Sequence, residues 1–211
     1  MPHHVTHRGN NRQDIFFTDD DRRAYLSFLG RWSVEYRLRV EGYCLMSNHV
    51  HLIVTPREED SLARTLGVVH MVYTRYVNRL HEREGHLWQN RFYSHAMDDV
   101  HYLSAMRYVE CNPVRAGLVQ VPSSYAWSSA SVHAGEHQAT GVLDMRRWKR
   151  LANGIKWNEF LGERVANEDI SVRAAGRSGR PLMDSRKLAR LETKLGRRLR
   201  PLAWGRPRKN S

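Results

Sequence analysis

His49-Val50-His51 lies inside an extended run, His49 to Val54, whose side chains alternate between the two faces of a strand. His49, His51 and Ile53 therefore point one way, and Val50, Leu52 and Val54 the other. Two imidazoles on one face stand roughly 7 Å apart along a strand, close enough to converge on one ion. Imidazole is the commonest metal-binding side chain, and two of them leave positions open for a third ligand, water or substrate oxygens, as a catalytic metal requires. The same spacing also suits two surface or hydrogen-bonded histidines. The second set is Tyr108-Val109-Glu110-Cys111-Asn112-Pro113. Residues four apart share a helix face, so Tyr108 and Asn112 project together at the end of a helix that Pro113 must stop. A free phenol has a pKa of about 10. Phosphoryl attack by Tyr108 therefore needs a nearby cation to stabilise the developing charge, and the histidine pair could hold it. The competing reading is an aromatic packed in the core with its hydroxyl paired. Glu110 lies on another face of the helix and reads as a surface residue.

The elements that must position these residues are legible from periodicity. Residues 3 to 8 alternate as a strand that ends at the turn-forming Gly9-Asn10-Asn11. Thr18-Asp19-Asp20-Asp21 starts a helix, and Tyr25, Phe28, Leu29, Trp32 and Tyr36 follow at helical spacing. Arg39 to Met46 and His49 to Val54 flank Ser47-Asn48, which predicts a tight antiparallel hairpin. Ser61 can cap a helix whose stripe is Leu62, Leu66, Val69, Tyr73, Tyr76 and Leu80, with Gly85 able to end it. A strand is expected around Arg91 to Ala96, then a helix from Asp98-Asp99 through Val100, Leu103 and Met106. That order predicts an α+β domain with an antiparallel sheet and helices on one side of it. Short helices are expected near 144 to 152 and 156 to 166. Residues 176 to 181 read as a linker, 185 to 199 as a basic amphipathic helix, and 205 to 209 as disordered when free.

Charge points to a polyanion. The chain has 34 Lys and Arg against 22 Asp and Glu, a net of +12. Residues 171–211 hold 13 of the basic and 2 of the acidic residues, a net of +11, so residues 1–170 carry only +1. Each Lys or Arg that neutralises a phosphate releases a condensed counterion, which suits such a tail to nucleic acid. No run of about 18 apolar residues occurs, which excludes a membrane-spanning helix. The N-terminus has no charged stretch followed by an apolar one, so a cytoplasmic protein is expected. Cys44 and Cys111, far apart and with no CxxC pair, read as reduced, buried small hydrophobes.

The run Tyr43-Cys44-Leu45-Met46-Ser47-Asn48-His49-Val50-His51-Leu52-Ile53-Val54-Thr55-Pro56 resembles the metal-binding signature of single-tyrosine HUH transposases, in which two histidines flank a hydrophobic residue. Three further stretches agree in order: His4-Val5-Thr6-His7-Arg8-Gly9-Asn10-Asn11-Arg12, Gly85-His86-Leu87-Trp88-Gln89-Asn90-Arg91-Phe92 and Arg107-Tyr108-Val109-Glu110-Cys111-Asn112-Pro113-Val114-Arg115-Ala116-Gly117-Leu118-Val119. Together they look like the branch associated with repetitive extragenic palindromes (REPs), over about residues 3 to 130. The resemblance implies a ferredoxin-like catalytic domain with Mg²⁺ or Mn²⁺ held by His49 and His51. It further implies that Tyr108 attacks a scissile phosphate to give a 5′-phosphotyrosine and a free 3′-hydroxyl. Where insertion-sequence relatives carry a glutamine four residues after the tyrosine, this chain has Asn112, one methylene shorter, as the candidate third ligand. On softness grounds imidazole ligands favour manganese.

The expected organisation is a catalytic domain at 1–130, a helical extension at 131–170 and a basic, partly disordered DNA-binding tail at 171–211. The branch typically binds a DNA hairpin and a single-stranded sequence beside it, as a monomer or a homodimer. Candidate DNA contacts are Arg8, Asn10, Asn11 and Arg12 in the first turn, Trp88 and Arg91 with Phe92, Arg115, and Arg206, Arg208 and Lys209 in a Gly-Arg-Pro segment suited to a minor groove. The expected function is a metal-dependent single-stranded DNA endonuclease and strand-transferase. The rival readings are a catalytically silent hairpin-binding regulator with the same fold, and a phosphodiesterase that uses water as nucleophile.

Overall fold

Ser47-Asn48 closes the expected hairpin: β2 (Leu38–Met46) and β3 (His49–Pro56) pair antiparallel from Leu38↔Pro56 to Met46↔His49. A computed structural model of the chain describes residues 1–139, 141–163 and 166–200. In it β1 (His3–Arg8) pairs antiparallel with β3 on one side and with β4 (Tyr93–Ala96) on the other, giving the sheet order β2-β3-β1-β4. The helix α1 (Asp19–Glu35) follows β1, and α2 (Ser61–Leu80) follows β3. This is a ferredoxin-like arrangement, in which the first strand lies centrally between two antiparallel partners.

Each helix forms for a local reason. Thr18 caps α1 by accepting from the Asp21 amide, while the Asp21 carboxylate accepts from the Thr18 amide, a reciprocal capping box. The buried face of α1 carries Tyr25 and Leu29, and that of α2 carries Leu66, Val69, Tyr73 and Val77. These faces meet Val5, Val50, Leu52 and Val54 on one side of the sheet in a single apolar core. Ser61 is the first helical residue of α2 and its hydroxyl accepts from the Glu58 amide, so Asp60 occupies the cap position expected for Ser61.

The expectation of helices on one side only is overturned. The other side of the sheet, with Cys44, Met46 and Ile53, is covered by α3 (Asp99–Glu110) and by later elements in a second apolar core. Gly42 admits α3 at close range, since a Cβ there would lie 2.3 Å from Met106 Sδ. The chain then forms α4 (Asn112–Arg115), α5 (Ala130–His133), α6 (Arg146–Leu151) and α7 (Trp157–Gly162). Pro113 ends α3 as expected and sits in the first turn of α4, where a missing amide hydrogen costs nothing.

The expected linker at 176 to 181 is a second correction. The helix α8 (Ala166–Ser178) runs through its first half and packs on α3, β4 and β1. Gly179, at φ 66°, turns the chain back, and the Leu182 amide donates to the Ala96 carbonyl at 2.7 Å. The part of the basic tail up to Leu182 is thereby built onto the sheet. The helix α9 (Ser185–Leu195) is capped by Asp184 and ends at Gly196, short of the predicted residue 199. Residues 205 to 209 lie outside the described residues. Cys44 is buried and Cys111 only partly so. No helix among the described residues is long and apolar enough to cross a membrane.

Candidate active site

The register Arg8↔His49 and Thr6↔His51 puts the expected imidazole pair opposite polar residues of β1, on the side of the sheet that α3 covers. The His49 and His51 rings stand edge to face with centroids 4.9 Å apart. Each has its Nδ1 engaged: that of His49 donates to the Asn48 side-chain oxygen at 2.6 Å, and that of His51 lies 2.9 Å from His4 Nε2 and 3.1 Å from Thr6 Oγ1. Engaging Nδ1 directs the other ring nitrogen, Nε2, toward a ligand. Burial lowers the His49 pKa to about 4, helped by the nearby Arg8 charge. It pushes His51 well below the ordinary imidazole value too, helped by His4, His49 and Arg115. Both rings are therefore neutral at pH 7, the form in which imidazole offers a lone pair.

Tyr108 comes to His51 from α3, on the same side of the sheet. Its own ring meets His51 at a centroid distance of 5.9 Å and His4 at 5.8 Å, edge-on in both cases. The Arg115 guanidinium lies 4.2 Å from the Tyr108 ring centre and also donates to the Tyr108 carbonyl, while Arg173 of α8 stands 6.0 Å from the same ring. Tyr108 retains 9% exposure, and with His51 it lines a cavity of about 530 Å³ that Arg8 and Arg173 also border. A phenol, neutral imidazoles and guanidinium groups thus share one opening. Such a set can bind a phosphate and stabilise charge on its oxygens.

The other expected residues divide. The side-chain amide of Asn112 donates to the Tyr108 and Val109 carbonyls at 3.0 and 3.1 Å, which ties it to the end of its own helix. Among the described residues no three His, Cys, Asp or Glu side chains form a metal-sized group. Asn11 and Arg12 are exposed in the turn after β1, at φ 49° and 61°, with Asn10 partly buried beside them. That turn is stitched to the loop after α2 by Asn10 N–H to Leu87 O and Gln89 N–H to Arg8 O, so both recognition segments share one surface. Gly9 makes the stitching feasible, because a Cβ there would lie 2.2 Å from the Gln13 carbonyl oxygen. Gly9→Ala is expected to cost about 1–3 kcal/mol in a denaturant melt. An unchanged midpoint would show that the turn relaxes freely.

Trp88 is not a free stacking platform. It lies flat on His7 at 4.5 Å and 11°, and its indole N–H donates to the His70 carbonyl at 3.3 Å. Phe92 packs against the same core, whereas Arg91 is exposed. Arg206, Arg208 and Lys209 lie outside the described residues. Glu110 is a plain correction, being fully buried instead of on the surface. Its carboxylate accepts from Ser129 at 2.5 Å and from Trp157 Nε1 at 2.8 Å, and it pairs with His133 at 2.5 Å. It thereby fastens the tyrosine helix to the segment after residue 128.

Sequence reasoning missed His4, Thr6, Gln89, Tyr93 and Arg173. For His4 and Thr6 a signal existed, since they alternate on one face of a strand as His49 and His51 do. Only the β1–β3 register shows that the two faces coincide.

The fold and the site define an α+β protein of ferredoxin-like topology, with a tyrosine-bearing helix laid over a strand that carries paired histidines. The family described as "Transposase IS200 like" matches residues 1–112, and the chain belongs to that family. It is 28% identical over 136 residues, 54% of this chain and 77% of the other, to a candidate REP-associated tyrosine transposase of Haemophilus influenzae. Its fold is similar to a solved structure of a REP-associated tyrosine transposase bound to a REP hairpin. The TM-score is 0.52 at 16% identity, covering 68% of this chain and 84% of that one. The resemblance read from the four motifs is borne out.

Proposed function

We propose that this transposase is a metal-dependent endonuclease and strand-transferase acting on single-stranded DNA beside palindromic hairpins. His49 and His51 would hold Mg²⁺ or Mn²⁺, with Asn112 as a third ligand if its side chain turns from its own helix. The observation that carries this reading is the Tyr108 ring set edge-on to His51 at 5.9 Å inside a cavity bordered by arginines. The hairpin is taken from the solved relative, which is described as bound to one. A divalent ion there supplies positive charge for the oxygens of the scissile phosphate.

The chain's own residues do the rest. Arg8, Arg115 and Arg173 draw the phosphate over Tyr108 and offset its charge. The Tyr108 oxygen–phosphorus bond forms as the phosphorus–O3′ bond breaks, the phenol loses its proton and the departing 3′ oxygen gains one. The resulting ester conserves the energy of the broken bond, so a second 3′-hydroxyl can reverse the step without ATP. The test is a denaturing gel of the full chain with hairpin DNA and Mn²⁺. A band in which DNA stays with protein supports the reading, and tight binding with no such band supports the silent regulator.

His4 has a distinct part as the partner that fixes the His51 ring. His4→Ala is expected to weaken Mn²⁺ binding by about 10- to 100-fold, read by titration calorimetry on the full chain. Equal affinity in the two proteins would leave Thr6 as sufficient.

A further inference from the structure

We propose that the cavity over Tyr108 is a pocket for one unstacked nucleotide, in which Tyr93 stacks the base and Gln89 reads its edge. This deepens the nuclease reading and rests on it. The cavity, about 530 Å³, is of the size that small-ligand sites have. It is lined by Tyr108, His4, Thr6 and His51 together with Gln89, Tyr93 and Arg173 of α8.

Tyr93 is the unusual member. It stands in β4 directly opposite Thr6, on the side of the sheet that carries His51, yet it is 56% exposed. No aromatic ring stacks on it among the described residues. An open phenol ring beside a reacting phosphate offers what an unpaired base lacks in water, a flat partner, and stacking of this kind contributes about 1 to 3 kcal/mol per base. Gln89 adds the complementary property. Its amide presents a donor and an acceptor together, the pattern that pairs with a base edge. The Gln89 backbone is pinned by its N–H bond to the Arg8 carbonyl at 2.8 Å, which keeps Gln89 next to a phosphate-binding arginine. Arg173, which lines the same cavity 6.0 Å from the Tyr108 ring, suits the phosphate of the same nucleotide.

The experiment uses the full-length Tyr108→Phe chain, which cannot form the ester, and hairpin DNAs whose unpaired 5′ flank is randomised. Binding should enrich a particular base at one flank position. Gln89→Ala should erase that enrichment while leaving the hairpin preference. Tyr93→Ala should weaken binding of the enriched hairpin about tenfold, and Tyr93→Trp should restore it. An abasic site at that position should weaken binding to a similar extent and add nothing further in Tyr93→Ala. The proposal is overturned if no position is enriched, if Gln89→Ala leaves the enrichment intact, or if Tyr93→Ala weakens intact and abasic hairpins alike. Adduct formation by the unsubstituted chain is scored separately. An adduct without base dependence removes the pocket alone, whereas base dependence without an adduct removes the chemistry alone.

Discussion

Tyr108→Phe is expected to lower covalent adduct formation by at least about a thousandfold while leaving hairpin affinity within about twofold. The change removes one oxygen and keeps the ring, which still meets His4 and His51 edge-on and still lies under the Arg115 guanidinium. Packing of α3 should therefore persist, and melting temperature is the control. If the nucleophile were water, the substituted chain would still cut and only the covalent band would be missing from both proteins. Cleavage and adduct measured together separate these cases: retained cleavage in Tyr108→Phe sinks the assignment of the nucleophile, and an adduct in Tyr108→Phe sinks the assignment of the residue.

The second large effect is on stability below neutral pH. Burial lowers the pKa of His3, His7, His49 and His95 to about 4, and pushes His4, His51 and His70 well below the ordinary value. Unfolded histidine titrates near 6.5. Between pH 6.5 and 4 the unfolded chain therefore binds more protons than the folded one, and stability falls as pH falls through that window. Each such histidine removes up to about 1.4 kcal/mol per pH unit once below its unfolded value. Several acting together rival a typical total stability of about 5–15 kcal/mol. Asp98 does not offset this. His101 and Lys187 hold its folded pKa at about 2, so the stability it contributes is complete above the ordinary carboxylate range and is lost only under stronger acid. Urea melts at pH 7.5, 6.5 and 5.5 should show a steep loss of midpoint, with the folded state failing near pH 5. A flat profile across these three values would contradict the burial of neutral imidazoles. Two of the contacts at stake are ring to ring, His4 with His51 and His7 with His70, each at 2.9 Å, and each requires at least one unprotonated nitrogen.

Much of the site was legible locally. Strand periodicity placed His49 and His51 on one face, the Ser47-Asn48 turn paired their strand with β2, and Pro113 ended the helix that carries Tyr108. These follow from backbone rules that act over a few residues. Glu110 was misread because helix position says which residues share a face, not what covers that face. The segment that buries it, with Ser129, His133 and Trp157, arrives from 19 to 47 residues away. The linker reading of 176 to 181 failed similarly. Glycine costs a helix only about 1 kcal/mol relative to alanine, and packing of α8 against α3, β4 and β1 overrode that cost through Ser178.

The sequence by itself determined the α+β order, the histidine pair, the tyrosine helix and the family, because each is written in short-range spacing or in ordered motifs. Tertiary structure alone decided that α3 covers the opposite side of the sheet from α1 and α2. That placement turns the His51 and Tyr108 rings toward one another across 57 residues of chain, with His4 beside both and Arg173 above. The physical reason is that a sheet has two faces to bury. Which helix takes which face depends on the summed packing of the whole chain, at points such as Gly42 against Met106, and no single stretch of sequence carries that sum.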